Sequence, residues 1–457
     1  MRHFPVASDL EKQTVARVRR RLVPFLALLF IVAFLDRTNV GFAALRMNQD
    51  VGISTSIYGL GAGIFFIGYF IFEVPSNIFL HRFGARLWIA RIMVTWGIVA
   101  GAMGFLQTPT HFIVLRFLLG LAEAGFFPGV IYLLSLWFPA RYRAQMVAGF
   151  YLGVPISQVI GAPLSVGLIA LGEHYSISGW RLMYIAEALP AVLLGVVSWL
   201  YLSDRPSEAH WLTAEQRTWL VGRLADEEAA KPLLTGKRGL NANSSQQVRA
   251  VLKSPIVWAM ALCYFGITSG SNALNFFFPT VLQSFKQSFG VDVGLVQTGF
   301  ITAIPYAFAA IAMIYWSRRS DRLQERHFHA GGAALLAAAA IAIALTVNSA
   351  LAIVLGFIVL AIGVFSAIIT FWTIPPQVLT GVGAAAGIGL INAIGNLSGF
   401  AGPYAIGLIK TATGSFTPGF MLIAAFVALG GIGTLLLPRG NRHDLPVGAA
   451  TEHGTDL

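Results

Sequence analysis

Apolar stretches of 20 to 28 residues recur along almost the whole chain, separated by short polar segments that carry most of the charge. They fall at 22–42, 56–80, 86–107, 111–134, 144–170, 181–202, 255–282, 294–317, 328–347, 350–373, 383–410 and 417–437. Each is long enough to cross a hydrocarbon core about 30 Å thick as a helix. The pattern predicts an all-α membrane protein with twelve transmembrane helices. The longest polar interruption, 203–254, divides them six and six. The expected organisation is a six-helix bundle over 1–202, a linker loop over 203–254, a second bundle over 255–437 and a tail over 438–457.

Composition agrees: 56% of the 457 residues are hydrophobic and 11% are charged. The formal charge of +11 raises nucleic acid as a partner. However, the basic residues sit in short segments between apolar runs and form no basic face, so the charge reads as a topology signal and excludes nucleic acid. Most Lys and Arg fall in the N-terminal arm, in the connections after helices 2, 4, 6 and 8, and in the tail. The opposite connections carry only Arg46, Arg181, Lys286 and Lys410. Both termini are therefore expected in the cytoplasm. The first apolar run is long and contains Asp36-Arg37, which makes it a retained helix and not a cleaved signal. Cys263 is the single cysteine. No Cys/His cluster, HExxH or Walker loop occurs, so no metal, cofactor or catalytic residue is expected, and the chain is not expected to be an enzyme. The loop 203–254 reads as a flexible tether, with an amphipathic stretch near 213–228.

Charges inside apolar runs mark function, because each costs several kcal/mol unless it faces a partner or water. In 111–134, Arg116 and Glu123 are seven residues apart, nearly two turns, and so share one helix face about 10 Å apart along the axis. In 22–42, Asp36 and Arg37 adjoin. Rise per residue sets Asp36, Arg37 and Arg116 at one level and Glu123 about 10 Å deeper. Arg37 and Arg116, with planar forks suited to carboxylates, are the candidate grips for an anionic substrate. Asp36 and Glu123 are the candidate proton carriers. Asp36 is expected to hold one arginine, and Glu123 to stand alone near the midplane. A structural ion pair is the alternative for these charges. Glu187 leans structural. The second half offers neutral polar groups: Asn272, Asn275, Thr370, Thr373, Gln377, Asn392 and Asn396. These are substrate contacts or helix–helix ties.

A weak internal repeat places Arg at the turns after helices 2 and 8: Pro75-Ser-Asn-Ile-Phe-Leu-His-Arg82-Phe-Gly84-Ala-Arg86 and Trp316-Ser-Arg-Arg-Ser-Asp321-Arg322. This layout resembles the major facilitator superfamily. The turns look like that family's short-loop signature, with His81 where an acid usually sits. Arg82, Arg86, Asp321 and Arg322 are then the expected cytoplasmic gate. Phe34-Leu-Asp36-Arg37-Thr-Asn39, Arg116 and Glu123 with Gly125-Phe-Phe-Pro128-Gly129, and Asn396-Leu-Ser-Gly399-Phe-Ala-Gly402-Pro403 are similar to the anion–cation symporter family. That resemblance implies the same roles for the four charges and adds Tyr69 and Gln158 as cavity residues. It implies a monomeric bacterial inner-membrane carrier that imports a small organic anion, a carboxylate or sugar acid, with protons. The alternative is an exporter of organic anions or drugs by proton antiport.

Overall fold

The computed structural model describes residues 9–151, 153–234, 253–323, 325–347, 349–375 and 382–438. Among them nine helical segments are long and apolar enough to span a membrane by length and composition alone. The helices Asp9–Val51 (α1) and Pro255–Phe289 and the pair Val382–Asn396 and Ser398–Thr413 complete twelve crossings in two six-helix bundles. The first bundle continues with Thr55–Phe83 (α2), Ala85–Ala102 (α3), Pro109–Glu123 (α4), Phe126–Trp137 (α5), Ala140–Tyr151 (α6), Gly153–His174 (α7) and Gly179–Tyr201 (α8). Ala214–Leu234 (α9) follows. The second bundle holds α10 (Pro255–Phe289), α11 (Leu295–Leu323), α12 (His327–Thr346), α13 (Ala350–Phe371), α14 (Val382–Asn396), α15 (Ser398–Thr413) and α16 (Thr417–Leu436).

Helix α1 is twice the expected length because its polar arm keeps the helical burial period. Thr14, Val15, Val18 and Leu22 are buried while Arg17, Arg19 and Arg20 between them are exposed. The stretch 111–134 is not one helix. It breaks at Ala124–Gly125, where Gly125 adopts φ 88°. A Cβ there would lie 2.1 Å from Ser76 Oγ, so only glycine permits the approach. Ser76 Oγ donates to the Ala124 carbonyl (2.7 Å) and accepts from Trp88 Nε1 (2.9 Å), which satisfies the carbonyl that the break exposes. The eleventh apolar run is likewise divided, at Leu397.

The bundles meet through α2 on α15, α7 on α11 and α1 on α10. These contacts gather at the face away from the chain ends. A Cβ on Gly59 would fall 2.4 Å from the Pro403 carbonyl oxygen, so two backbones touch there. Tyr58 donates its hydroxyl to the Phe276 carbonyl at 2.7 Å. A mixed core of Val40, Met47, Phe112, Val166, Phe277 and Phe278 seals this face.

The described part of 203–254 is not a loose tether. Trp211 stacks on Trp137 with centroids 5.4 Å apart, and the Arg21 guanidinium sits 4.3 Å from the Tyr201 ring and 4.9 Å from that of Trp211. Arg17 donates to Gln216 and Arg143 pairs with Glu227, which fastens α9 to the first bundle. The reason is composition: the aromatic and aliphatic residues of 211–224 find an apolar surface at the ends of α1 and α5. Residues 235–252 and 439–457 lie outside the described residues.

Candidate functional site

Arg37 reaches Glu123. Its Nε and Nη2 both approach Glu123 Oε1 at 2.5 Å, with 23% of the Arg37 side chain exposed and 1% of the Glu123 side chain. Side chains lean toward the N-terminus of their own helix. Since α1 and α4 run in opposite directions, Arg37 leans down and Glu123 leans up, and the two meet. This corrects two expectations. Glu123 is not a lone carboxylate, and Asp36 is not the acid that holds an arginine. Cα height alone leaves out the reach and direction of the long arginine side chain. The guanidinium also lies 5.2 Å from the rings of Phe34 and Tyr69 and 5.6 Å from Phe65. Tyr69, expected beside the substrate, thus forms the aromatic bed of Arg37. Glu123 is the last residue of α4, directly before the break, and its Oε2 is buried without a partner.

Arg116 does not face open space. It is 2% exposed, and its Nε and Nη2 donate to the carbonyls of Gly61 (3.2 Å) and Ala62 (3.1 Å) on α2, with its plane 4.9 Å from Phe65. The expected direct grip on a substrate is corrected in this conformation. The fork clamps α4 to α2, because Gly61 and the packed α2–α4 seam leave those carbonyl lone pairs within reach. Arg116 and Glu123 are both buried on α4, but they take different partners, the α2 carbonyls and Arg37.

Asp36 turns into the first bundle. Its Oδ2 accepts from Trp96 Nε1 at 2.7 Å, and its Oδ1 lies 3.4 Å from Asn39 Nδ2. The same Asn39 nitrogen donates to Glu187 Oε2 at 3.0 Å, and Ser165 Oγ donates to Glu187 Oε1 at 2.6 Å. Asp36, Asn39 and Glu187 are 2%, 1% and 4% exposed. The expected structural lean of Glu187 did not include this contact with the Asp36 network. The two acids lie on helices far apart in the sequence and share no motif, and only packing of α1 against α8 brings them together.

Polar residues of the second bundle divide into two groups. Asn275 Oδ1 accepts from Gln158 Nε2 on α7 (3.4 Å) and from the Tyr306 hydroxyl on α11, a link across both bundles. Gln158 therefore reaches the inter-bundle space as expected. Asn272 donates to Thr268 O and Ser398 Oγ, and Thr268 Oγ1 also contacts Ser398 Oγ, so this set ties α10 to the α14–α15 break. Thr370 bonds the Ser366 carbonyl of its own helix and is 1% exposed. Both were candidate substrate contacts; Asn272 is occupied by a tie between helices, and Thr370 by a bond within its own helix. Asn392 and Asn396 are half-buried and make no hydrogen bond among the described residues. Gln377 lies outside them.

At the turns, Arg86 donates from its backbone to Asp204 Oδ1 (2.8 Å) and from Nε to the Trp199 carbonyl (2.5 Å). It is thus bound to the end of α8 and not to the second bundle. Asp204 supplies an acid where the turn itself has His81. Arg82 and Arg322 are exposed, and the Asp321 side chain lies outside the described ones. In the second turn Glu325 caps α12, accepting from the backbone N–H of Phe328 (2.7 Å) and His329 (3.1 Å) and from His329 Nδ1 (2.8 Å). Partial burial pushes its carboxyl up, but these donors outweigh that and hold it below the ordinary glutamate value of 4.5. An apolar groove between α10 and α16, lined by Ala259, Cys263, Phe426 and Leu429, is remote from every buried charge.

Two helical bundles close at one face over the buried Arg37–Glu123 pair, and the family match and the relatives point to a multi-pass membrane transporter, not an enzyme. The sequence matches the Major Facilitator Superfamily over residues 26–403, and the chain belongs to that superfamily, among its permeases of the anion–cation type. It is 45% identical over 98% of its length to a "Putative tartrate transporter" of Agrobacterium vitis, covering 96% of that protein. It is 41% identical over 94% of its length to a quinolone resistance transporter of Acinetobacter baumannii, also covering 96%. The fold is similar to that of a bacterial homolog to human lysosomal transporter Spinster, in its inward-facing and unoccupied conformation. There the TM-score is 0.74 at 16% identity, over 92% of this chain and 97% of that one.

Proposed function

We propose that the protein imports a small organic anion, a carboxylate or sugar acid, together with protons across a bacterial inner membrane by alternating access. The observation that carries this reading is the Arg37–Glu123 pair at the α4–α5 break. Arg37 is the partly exposed cation of the site, and a buried carboxylate occupies its fork. A proton on Glu123 removes the competing charge and frees the fork for a substrate carboxylate. When the proton leaves, the internal pair re-forms and expels the anion. Coupling thus resides in competition between two carboxylates for one guanidinium. Gln158, Asn392 and Asn396 are the proposed hydrogen-bonding partners of the rest of the substrate, and Arg116 positions α4. Relatives named for tartrate transport support the substrate class.

The two bundles, 1–202 and 255–437, are proposed to rock about this site in a monomer. Closure at the far face, with the Lys- and Arg-rich ends in the cytoplasm, makes the present conformation inward-facing. Arg82, Arg322 and Asp321 remain the proposed gate on that side. In sealed proteoliposomes, an inward proton gradient should drive uptake of labelled tartrate or a related sugar acid, and a protonophore should abolish it. Uptake driven by sodium alone at constant pH would overturn the proton coupling. Export by proton antiport is the second reading, favoured by the relative named for quinolone resistance. Quinolone extrusion driven by the opposite gradient, without tartrate uptake, would establish it.

A further inference from the structure

We propose that Asp36 and Glu187 form one proton-sharing site, bridged by the Asn39 amide, and that Glu187 is a proton-coupling residue alongside Asp36. The proposal rests first on what surrounds the two carboxyls. The donors that reach them are Trp96 Nε1, Asn39 Nδ2 and Ser165 Oγ, all neutral. Arg37, next to Asp36 in sequence, is turned away to Glu123. From α4, Arg116 is spent on α2 carbonyls. From α8, the Tyr184 ring lies within electrostatic reach of Arg116 and of both acids. The nearby α3 residue is Trp96, α7 offers Ser165, Tyr58 of α2 is bonded to Phe276, and α10 contributes Asn275, already bonded. Two ionised carboxylates bridged by one amide, with no cation in contact, would leave two like charges desolvated side by side.

The second observation is the Asn39 amide itself. Its nitrogen serves both carboxyls, while its Oδ1 is buried without a partner. The Tyr184 hydroxyl is also buried without one. An amide has a donor end and an acceptor end. One proton shared by the pair satisfies both: Nδ2 donates to the ionised carboxylate, and Oδ1 accepts from the protonated one. With no proton the acceptor is orphaned, and with two protons the donor competes with hydroxyls. The site therefore fits one proton for two acids, and a turn of the Asn39 amide accommodates that proton on either carboxyl.

Infrared difference spectra of the purified protein across pH steps test this without any substrate. In a Glu123→Gln background, which removes the other buried acid proposed to carry a proton, the protein should show a protonated-carboxyl C=O band that is lost when either Glu187→Gln or Asp36→Asn is added, since a single remaining acid keeps Trp96 or Ser165 and the amide to itself. The band persisting unchanged in either variant overturns the shared site. Two variants at opposite ends of the pair, each checked for a monodisperse fold, separate misfolding from loss of the proton. The transport readout, which alone rests on the proposed import of a carboxylate, uses tartrate in proteoliposomes. Glu187→Gln should keep tartrate exchange and lose one coupled proton, which lowers accumulation about tenfold per unit of pH gradient. Accumulation equal to wild type, with the infrared band also intact, returns Glu187 to a structural role. Absence of tartrate transport in wild type counts against the substrate reading alone, and the infrared result still decides the proton site.

Discussion

Arg116→Lys keeps the charge and should nevertheless weaken the protein. The guanidinium makes two charge-assisted bonds, to Gly61 O at 3.2 Å and Ala62 O at 3.1 Å, and lies over Phe65. An ammonium on a four-carbon stem cannot bridge two successive carbonyls as a planar fork does. One bond to a charged donor is lost, about 2 kcal/mol. Weaker contact with the Phe65 face removes about 1 kcal/mol more. The sum of about 3 kcal/mol corresponds to a fall in Tm of roughly 6–12 °C for a unit of this size. Thermal unfolding of the detergent-purified variant measures it, and exchange of labelled tartrate in vesicles measures function. Loosening of the α2–α4 seam should lower the maximal rate more than it raises KM, because Arg37, not Arg116, is the proposed grip on the substrate. The opposite pattern, a large rise in KM with Tm within about 2 °C of wild type, would refute the clamp and restore Arg116 as the direct grip.

Other outcomes follow from the same geometry. Glu123→Gln should leave substrate exchange intact but abolish uphill accumulation, since the variant mimics the protonated acid and cannot release a proton; normal proton-driven accumulation would show that the Arg37–Glu123 pair does not couple. Gly59→Leu should prise α2 from α15, where even a Cβ meets the Pro403 carbonyl at 2.4 Å; cysteine-accessibility labelling at the far face should rise, and an unchanged pattern counts against closure there. Gly125→Ala should lower stability by about 1–3 kcal/mol, because φ 88° is strained for any residue with a Cβ and Ser76 blocks the space; a Tm equal to wild type argues against the break. Glu325→Gln should cost about 1 kcal/mol at neutral pH and nothing once the wild-type carboxyl is protonated. A carboxyl held below 4.5 contributes stability above its unfolded value, and that contribution is lost as pH falls through the folded one. A wild-type advantage that persists well below pH 4.5 removes the charge from the cap.

The sequence by itself determined the crossings and the identity of the buried charges. Spans come from long apolar runs, and a bilayer leaves the backbone few choices other than helices. Arg116 and Glu123 on one face of α4 followed from helical periodicity, which is local. Partnership was decided only by tertiary structure. Asp36 and Arg37 are neighbours in sequence, yet the 100° turn between successive residues sends one into the bundle toward Trp96 and the other toward Glu123. Glu187 carried no motif, because its significance lies in Asn39 on another helix. The break at Gly125 was visible as a glycine but not as a break, since its cause is Ser76 on α2. Likewise Asn272 read as an available polar group until packing brought the Ser398 hydroxyl to it. Pattern along a chain fixes which residues are buried. Which buried groups meet depends on side-chain direction and helix contact, quantities that spacing alone does not contain.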